Sequence, residues 1–283
     1  MNATQAKQYI YLKLAHTYTH SEMNVLLRAL FEDLLLKTFD PFTSDSLLLN
    51  DTQVQRLQQA VERLIKGEPI QYVTGKAHFM NMVFEVNPDV LIPRPETEEL
   101  VEWIIQETRQ ENLLDIRAID IGTGSGCLAI SLMKYLPHIH ISALDISENA
   151  LQVAKENSKK LQCEIELIHD DLLHPMKSYP SYHLIVSNPP YIPLSEMSSL
   201  DERVVNYEPH LALFEPDSEP QKFYRALIRF AHQHLQINGS VYVELHQDYA
   251  HKVVCLFEKY FNEVILKKDI SGNYRMLRAR ELK

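Results

Sequence analysis

Four consecutive residues, Asn188-Pro189-Pro190-Tyr191, follow the apolar run Leu184, Ile185 and Val186, so an acceptor-rich turn closes what reads as a buried strand. Proline carries no backbone N–H, which leaves carbonyl oxygens and the Asn188 side-chain oxygen as the main hydrogen-bonding groups of this turn. Such a corner suits a planar NH2 group. Amide and aromatic amine nitrogens are weak nucleophiles because their lone pair is delocalised. Two acceptors on the two N–H bonds would aim that pair at an electrophile. A Pro-rich loop ending a strand has the same composition, so the turn gains its weight from what precedes it.

What precedes it is Asp120-Ile121-Gly122-Thr123-Gly124-Ser125-Gly126, set after the apolar Ala118 and Ile119 and before a helix-like stretch from Cys127 to Tyr135. The order is strand, glycine loop, helix. Glycines at 122, 124 and 126 let the backbone turn sharply and approach a ligand, with the N–H groups of the helix start pointing into the same space. A dinucleotide fingerprint wants its third glycine at the position of Cys127, and here it comes one residue early. Asp145 closes the next apolar run, Ile139 to Leu144, 23 residues after Gly122, where an acid at a strand end meets ribose hydroxyls. A turn glycine or a solvated aspartate is ordinary alone, but the ordered pair implies a nucleoside ligand.

These groups need a scaffold that brings strand ends together. Between Arg117 and Ser187, apolar strands alternate with helices, the helices ending at Tyr135 and spanning Asn149 to Leu161, the strands covering Ile139 to Asp145, Cys163 to His169 and Leu184 to Ser187. That alternation argues for an α/β fold with a parallel sheet covered on both faces. A helix from Gln221 to Leu235, a strand Val241 to Leu245, a helix Tyr249 to Tyr260 and strands Val264 to Lys268 and Tyr274 to Ala279 follow. The last two meet around Gly272-Asn273 with no room for a crossover helix, so they should be antiparallel. The glycine loop, Asp145, Asp171 and the Asn188 turn all fall at the carboxyl edge, where ligands of such sheets gather.

Upstream, Leu26, Leu27, Leu30 and Leu34, and then Val54, Leu57, Val61, Leu64 and Ile65, recur at spacings of three and four, and no glycine occurs before Gly67. Residues 1–67 are thus expected to form a helical bundle, with Asp51 as a helix N-cap and the polar segment Asp40 to Asp45 as a connection. A bundle without chemistry of its own suits a docking surface. Short β-like runs, Ile70 to Val73 and Met82 to Val86, suggest a hairpin linker over 68–94, and Pro95 opens a helix in which Glu96 and Glu98 complement the dipole.

At 283 residues, a large domain with a smaller companion is the prior. Twenty-eight basic against 38 acidic residues, a formal net charge of −10, argue against a broad nucleic-acid surface and favour a protein or small-molecule substrate. The three cysteines, Cys127, Cys163 and Cys255, are scattered and odd in number, which fits neither a disulfide framework nor a metal cluster and points to a reducing cytosol. None of the 13 histidines forms an HExxH motif. No signal-like or 18-residue apolar stretch occurs, so a cytoplasmic protein with no metal, no membrane partner and no stable nucleic-acid partner is expected.

Glycine loop, downstream acid and Asn188-Pro189-Pro190-Tyr191 turn together resemble the class I methyltransferases that use S-adenosylmethionine and methylate planar nitrogens. Within them, nearly the whole chain resembles the release factor glutamine methyltransferase family. The likeness is carried by the helical bundle, by Glu68-Pro69-Ile70-Gln71-Tyr72-Val73-Thr74-Gly75, by Leu91-Ile92-Pro93-Arg94-Pro95-Glu96-Thr97-Glu98, and by the two motifs already described. The resemblance implies a Rossmann-like, mostly parallel seven-stranded sheet over 95–283. It also implies methyl transfer to the amide nitrogen of the glutamine in the Gly-Gly-Gln loop of class I peptide chain release factors. By the same likeness, Gly122, Thr123, Gly124, Ser125 and Gly126 would line the methionine part of the cofactor. Asp145 would take the ribose hydroxyls, Asp171 and Leu172 would flank the adenine, and Asn188 would also border the cofactor. Asn188, Pro189, Pro190 and Tyr191 would grip the substrate glutamine, with Tyr191 either packing on its amide or serving the scaffold. Some family members have an aromatic residue where Leu172 stands, so apolar contact would replace stacking there. Phe223, Glu244 and Arg275 lie in family-like stretches without an assigned chemistry. The rivals are a nucleic-acid methyltransferase acting on the adenine amine and a non-catalytic cofactor-binding module.

Overall fold

Capping boxes start the first three helices of the computed structural model, which describes residues 1–37, 47–111 and 115–283. Asn2, Thr19 and Asn50 each accept from the N–H of the third helical residue, and Gln5, Glu22 and Gln53 reach back to the cap. The helices are α1 (Ala3–Leu14), α2 (His20–Ala29), which continues as a π-helical turn over Leu30–Leu34, and α3 (Asp51–Ile65). The N-cap of α3 is therefore Asn50, and Asp51 is the first helical residue, where its charge meets the helix dipole. The segment Asp40 to Asp45 lies outside the described residues. Ile10, Leu14, Leu30, Phe31, Leu57, Val61 and Leu64 are completely buried between these helices.

The run Ile70 to Val73, expected as a strand, is instead the short helix α4 (Ile70–Thr74). Pro69 precedes it, Gly75 ends it in the left-handed conformation at φ 73°, and Tyr72 and Val73 are buried, so local punctuation and burial override β propensity. The hairpin is built from β1 (Lys76–Phe79) and β2 (Met82–Glu85), turning through Met80 and Asn81, both at positive φ.

After the hairpin come α5 (Pro95–Gln110), with Pro95 at its first turn, β3 (Ile116–Ile121), α6 (Cys127–Tyr135), β4 (Ile139–Asp145), α7 (Glu148–Leu161), β5 (Glu166–His169) and β6 (Tyr182–Ser187). A two-residue bridge joins β7 (Ile192–Pro193) to β8 (Phe214–Glu215), with α8 (Glu202–Tyr207) and α9 (His210–Leu213) between them. The chain closes with α10 (Lys222–His234), β9 (Leu235–Glu244), α11 (Ala250–Phe257), β10 (Phe261–Lys268) and β11 (Tyr274–Leu282). Seven strands form one sheet in the order β10-β11-β9-β6-β3-β4-β5, parallel except for β11, which runs antiparallel to both neighbours. Alternation along β3 sends Ile116 and Ala118 into one core, with α5, α6 and the hairpin. Ile119 and Ile121 point into the other, with α10 and α11.

By contact the described chain divides into two compact units, Met1–Lys76 with Asp201–Tyr207, and Ala77–Leu200 with Glu208–Lys283. Within the first unit, α8 is tied in by Arg203, which pairs with Asp201 at 2.7 Å and Glu22 at 3.5 Å, and by the Tyr207 hydroxyl, which donates to the Lys66 carbonyl at 2.8 Å. Among the described residues no helix is long and apolar enough to cross a membrane.

Candidate active site

Strand order changes direction between β3 and β6, and the segments leaving the carboxyl ends of β3, β4, β5 and β6 border a cleft of about 350 Å³. Its lining includes Gly122, Thr123, Gly124, Ser125, Asp145, Asp171, Leu172, Asn188, Pro189 and Pro190, so the fold brings together residues read as separate motifs. Gly126 and Tyr191 are outside that lining and act from behind it.

The glycine loop is held by its neighbours. Gly122 and Thr123 donate to the Leu144 carbonyl at 2.8 and 3.0 Å, and Gly126 donates to the Thr123 carbonyl at 2.9 Å. Gly122 and Gly124 have φ of 78° and 54°, and a β-carbon on either would meet nothing within 4 Å, so this backbone presents itself bare to the cleft. Gly126 serves packing: a β-carbon there would come within 3.1 Å of Ala154 and Ile130 side chains. That explains its early position. It is the residue on which α6 begins, seated against α7.

Two acids lie on the floor. Asp145 accepts from the Gly124 and Ser147 N–H groups, both at 2.9 Å, and burial pushes its carboxyl upward. Asp120 accepts the Thr123 hydroxyl at 2.7 Å, and burial pushes its carboxyl up to about 7. After β5, Asp170 turns inward to accept the N–H groups of Asp171, Met176 and Lys177 at 2.9, 3.1 and 3.0 Å. This leaves Asp171 and Leu172 on the cleft wall. Leu172 packs against the apolar cluster beneath the sheet.

At the Asn188 corner the geometry is made by side chains. Asn188 Nδ2 donates to Thr97 Oγ1 at 3.2 Å, Thr97 Oγ1 donates to Glu244 Oε2 at 2.6 Å, and the Tyr191 hydroxyl donates to Glu244 Oε1 at 3.0 Å. Glu244 is 1% exposed, and burial raises its carboxyl above the ordinary range. Burial likewise raises the Tyr191 phenol, which keeps it a protonated donor. Tyr191 is therefore a buttress, and Asn188 with the two prolines makes the exposed surface of the turn.

Several contributors are not evident from the sequence. Thr97 and Glu244 are the clearest. Asn157 is another: fully buried, it accepts from the Glu85 N–H at 2.6 Å and donates to the Glu85 and Ser125 carbonyls at 2.9 Å, tying the hairpin and glycine loop to α7. Arg94 lines the cleft and pairs at 2.5 Å with buried Glu208, whose second oxygen takes the Ile92 N–H at 3.1 Å. Thr97 and Arg94 stand in a family-like segment and Glu244 near the end of an expected strand, but their partners are remote in sequence. Among the described residues no group of three or more His, Cys, Asp or Glu side chains is placed to hold a metal ion.

A seven-stranded sheet of this order, with a glycine loop after β3 and an acid closing β4, defines the chain as a class I methyltransferase. Residues 100–206 match the Methyltransferase small domain and residues 8–75 the PrmC N-terminal domain. A T. thermophilus 16S rRNA methyltransferase solved with AdoMet and guanosine shares the fold at a TM-score of 0.53 and 16% identity, over 73% of this chain and 49% of that one. The Release factor glutamine methyltransferase of Flavobacterium psychrophilum is 42% identical over 246 residues, 86% of each chain. That of Bacteroides thetaiotaomicron is 38% identical over 274 residues, 96% of this chain and 97% of the relative. The chain belongs to the release factor glutamine methyltransferase family.

Proposed function

We propose that this chain transfers the methyl group of S-adenosylmethionine to the side-chain amide nitrogen of the glutamine in the Gly-Gly-Gln loop of class I peptide chain release factors. The observation that carries this reading is the Asn188 amide, pinned through its nitrogen at Thr97 on the wall of a cleft that also holds the glycine loop and Asp145.

The cleft fits the cofactor. Gly122 and Gly124 form a cradle that side chains would fill, Asp145 lies where ribose hydroxyls need an acceptor, and Asp171 and Leu172 offer a polar and an apolar contact for a purine. When bound, S-adenosylmethionine supplies an electrophilic methyl group on a sulfonium. The chain's own residues then have two tasks, to orient the acceptor nitrogen and to keep water out. Asn188 Oδ1 and the Pro189 carbonyl accept the two N–H bonds of the glutamine amide, which turns the nitrogen lone pair toward the methyl carbon. As the N–C bond formed and the methyl–sulfur bond broke, the sulfur leaving as a neutral thioether, the nitrogen would become positive and its protons more acidic, so both hydrogen bonds would strengthen in the transition state. A nitrogen in that state loses a proton readily, and no side-chain base is demanded.

We assign residues 1–67 to a substrate-docking bundle, 68–94 to a linker and 95–283 to the methyltransferase domain. Exposed Leu12, Val25, Leu36, Leu48 and Ile65 on the bundle support the docking role. The experiment is direct: the purified chain with labelled S-adenosylmethionine should label a release factor and leave unlabelled the same factor with its loop glutamine replaced. Label entering DNA or RNA instead would overturn the substrate.

A further inference from the structure

We propose that Thr97, held by Glu244, fixes the direction of the Asn188 side-chain amide so that its oxygen, and not its NH2 group, faces the cleft. The proposal rests on the reading that Asn188 receives the substrate amide, and it names what makes Asn188 an acceptor.

An asparagine amide is nearly symmetric in shape, so packing alone does not choose between its two orientations, and hydrogen bonding decides. The Thr97 hydroxyl has one hydrogen. That hydrogen goes to Glu244 Oε2 at 2.6 Å, which leaves Thr97 Oγ1 only lone pairs to offer Asn188, 3.2 Å away. An oxygen that can only accept selects the NH2 end of the amide. A flipped Asn188 would set its carbonyl oxygen against those lone pairs and turn two N–H donors toward the cleft, where they would oppose the N–H bonds of a substrate amide.

Glu244 keeps the relay polarised in this sense. Its other oxygen accepts the Tyr191 hydroxyl at 3.0 Å, so both oxygens are engaged as acceptors. Arg275 is the cation that faces this carboxylate and favours its charge, while Glu96 is the acid that opposes it. A protonated Glu244 could donate to Thr97, free the threonine hydrogen for Asn188 and reverse the amide. Thr97 lies in the first turn of α5 and Glu244 at the end of β9, 147 residues apart, and Asn188 follows β6. The relay exists only once the sheet is assembled. Thr97 and Glu244 are positioning residues, since they act on the substrate through Asn188.

Two measurements on the full chain test this. In the first, without substrate, the Asn188 side-chain amide signal of ¹⁵N-labelled protein is identified by its loss in Asn188→Asp, and proton exchange is measured. One Nδ2 proton should exchange at least about tenfold more slowly than in an exposed asparagine, with protection lost in Thr97→Val and kept in Thr97→Ser. Absence of protection in the unaltered chain overturns the proposal, and does so even if Thr97→Val does not fold. In the second, Thr97→Val should lower kcat for release factor methylation about tenfold or more, with cofactor affinity within about twofold, and Thr97→Ser should recover most of the loss. Equal losses in the valine and serine variants overturn it. Failure of the unaltered chain to methylate any release factor would count against the functional reading alone, because the exchange measurement decides the relay without substrate.

Discussion

The two ends of the cleft are built on different plans. At the glycine loop, the cleft-facing atoms are backbone groups, and their supports are close at hand: Leu144 and Asp145 from the adjacent strand, and Thr123 within the loop itself. At the Asn188 turn, the Asn188 side chain stands at the cleft beside Pro189 and Pro190, and it is supported by Thr97 and Glu244 from two distant segments. A site made of backbone tolerates substitution around it, because each N–H stays wherever the chain runs. A site made of one oriented side chain depends on each partner's hydrogen-bonding sense. The first plan suits a cofactor whose shape is recognised along its length, and the second suits a reaction that needs one nitrogen aimed once.

The sharpest way to break this contrast is Asn188→Ala. It should cut turnover at saturating cofactor by at least about a hundredfold while leaving the cofactor dissociation constant within a few-fold, as expected for loss of an interaction that strengthens in the transition state. A Kd that collapses together with kcat, measured by calorimetry beside initial rates, would mean that both ends serve the cofactor. Asp145→Ala should show the reverse pattern. Its effect falls on the cofactor Kd, about ten- to a hundredfold, the cost of a charged acceptor withdrawn from buried hydrogen bonds, with kcat at saturation changed much less. Were kcat to fall as far as in Asn188→Ala, the division of labour between the two ends would not hold.

The same difference explains what was legible in the sequence. The alternating strands and helices, the antiparallel closing pair and the glycine loop follow from patterns a few residues long, and the sheet order places them as expected. Asn188 is legible for the same reason, since its turn is written in four adjacent residues. Thr97 is hidden because a threonine in a helix's first turn has a sufficient local explanation, and nothing near it in sequence points to Glu244. Ile70 to Val73 fails in the opposite way: β-branched residues favour a strand locally, while Pro69, Gly75 and the burial of Tyr72 and Val73 make a helix. Tyr191 is legible as important but not in its role, because only the folded chain shows its hydroxyl turned to Glu244 and not to the cleft.

A smaller effect sharpens the comparison through pH. Asp120 lies on the floor at the backbone-built end, and its carboxyl is raised by burial from 3.8 to about 7 in the folded chain. The folded state therefore binds that proton more tightly than the unfolded state does. The stability this confers is fully present below about pH 4 and is lost as pH rises toward about 7, where the buried group must ionise. Asp145, also raised by burial, acts in the same direction. Replacing Asp120 by asparagine removes one titrating group while its amide oxygen can still accept from Thr123. Calorimetry of the cofactor-free protein between pH 5 and 8 should thus show a flatter decline for Asp120→Asn, the slopes differing by at most about 1.4 kcal/mol per pH unit, the value for a single proton. Parallel declines for the two proteins would show that Asp120 is already ionised across this range. In that case its charge, and not its neutral form, would be what the glycine loop is folded around.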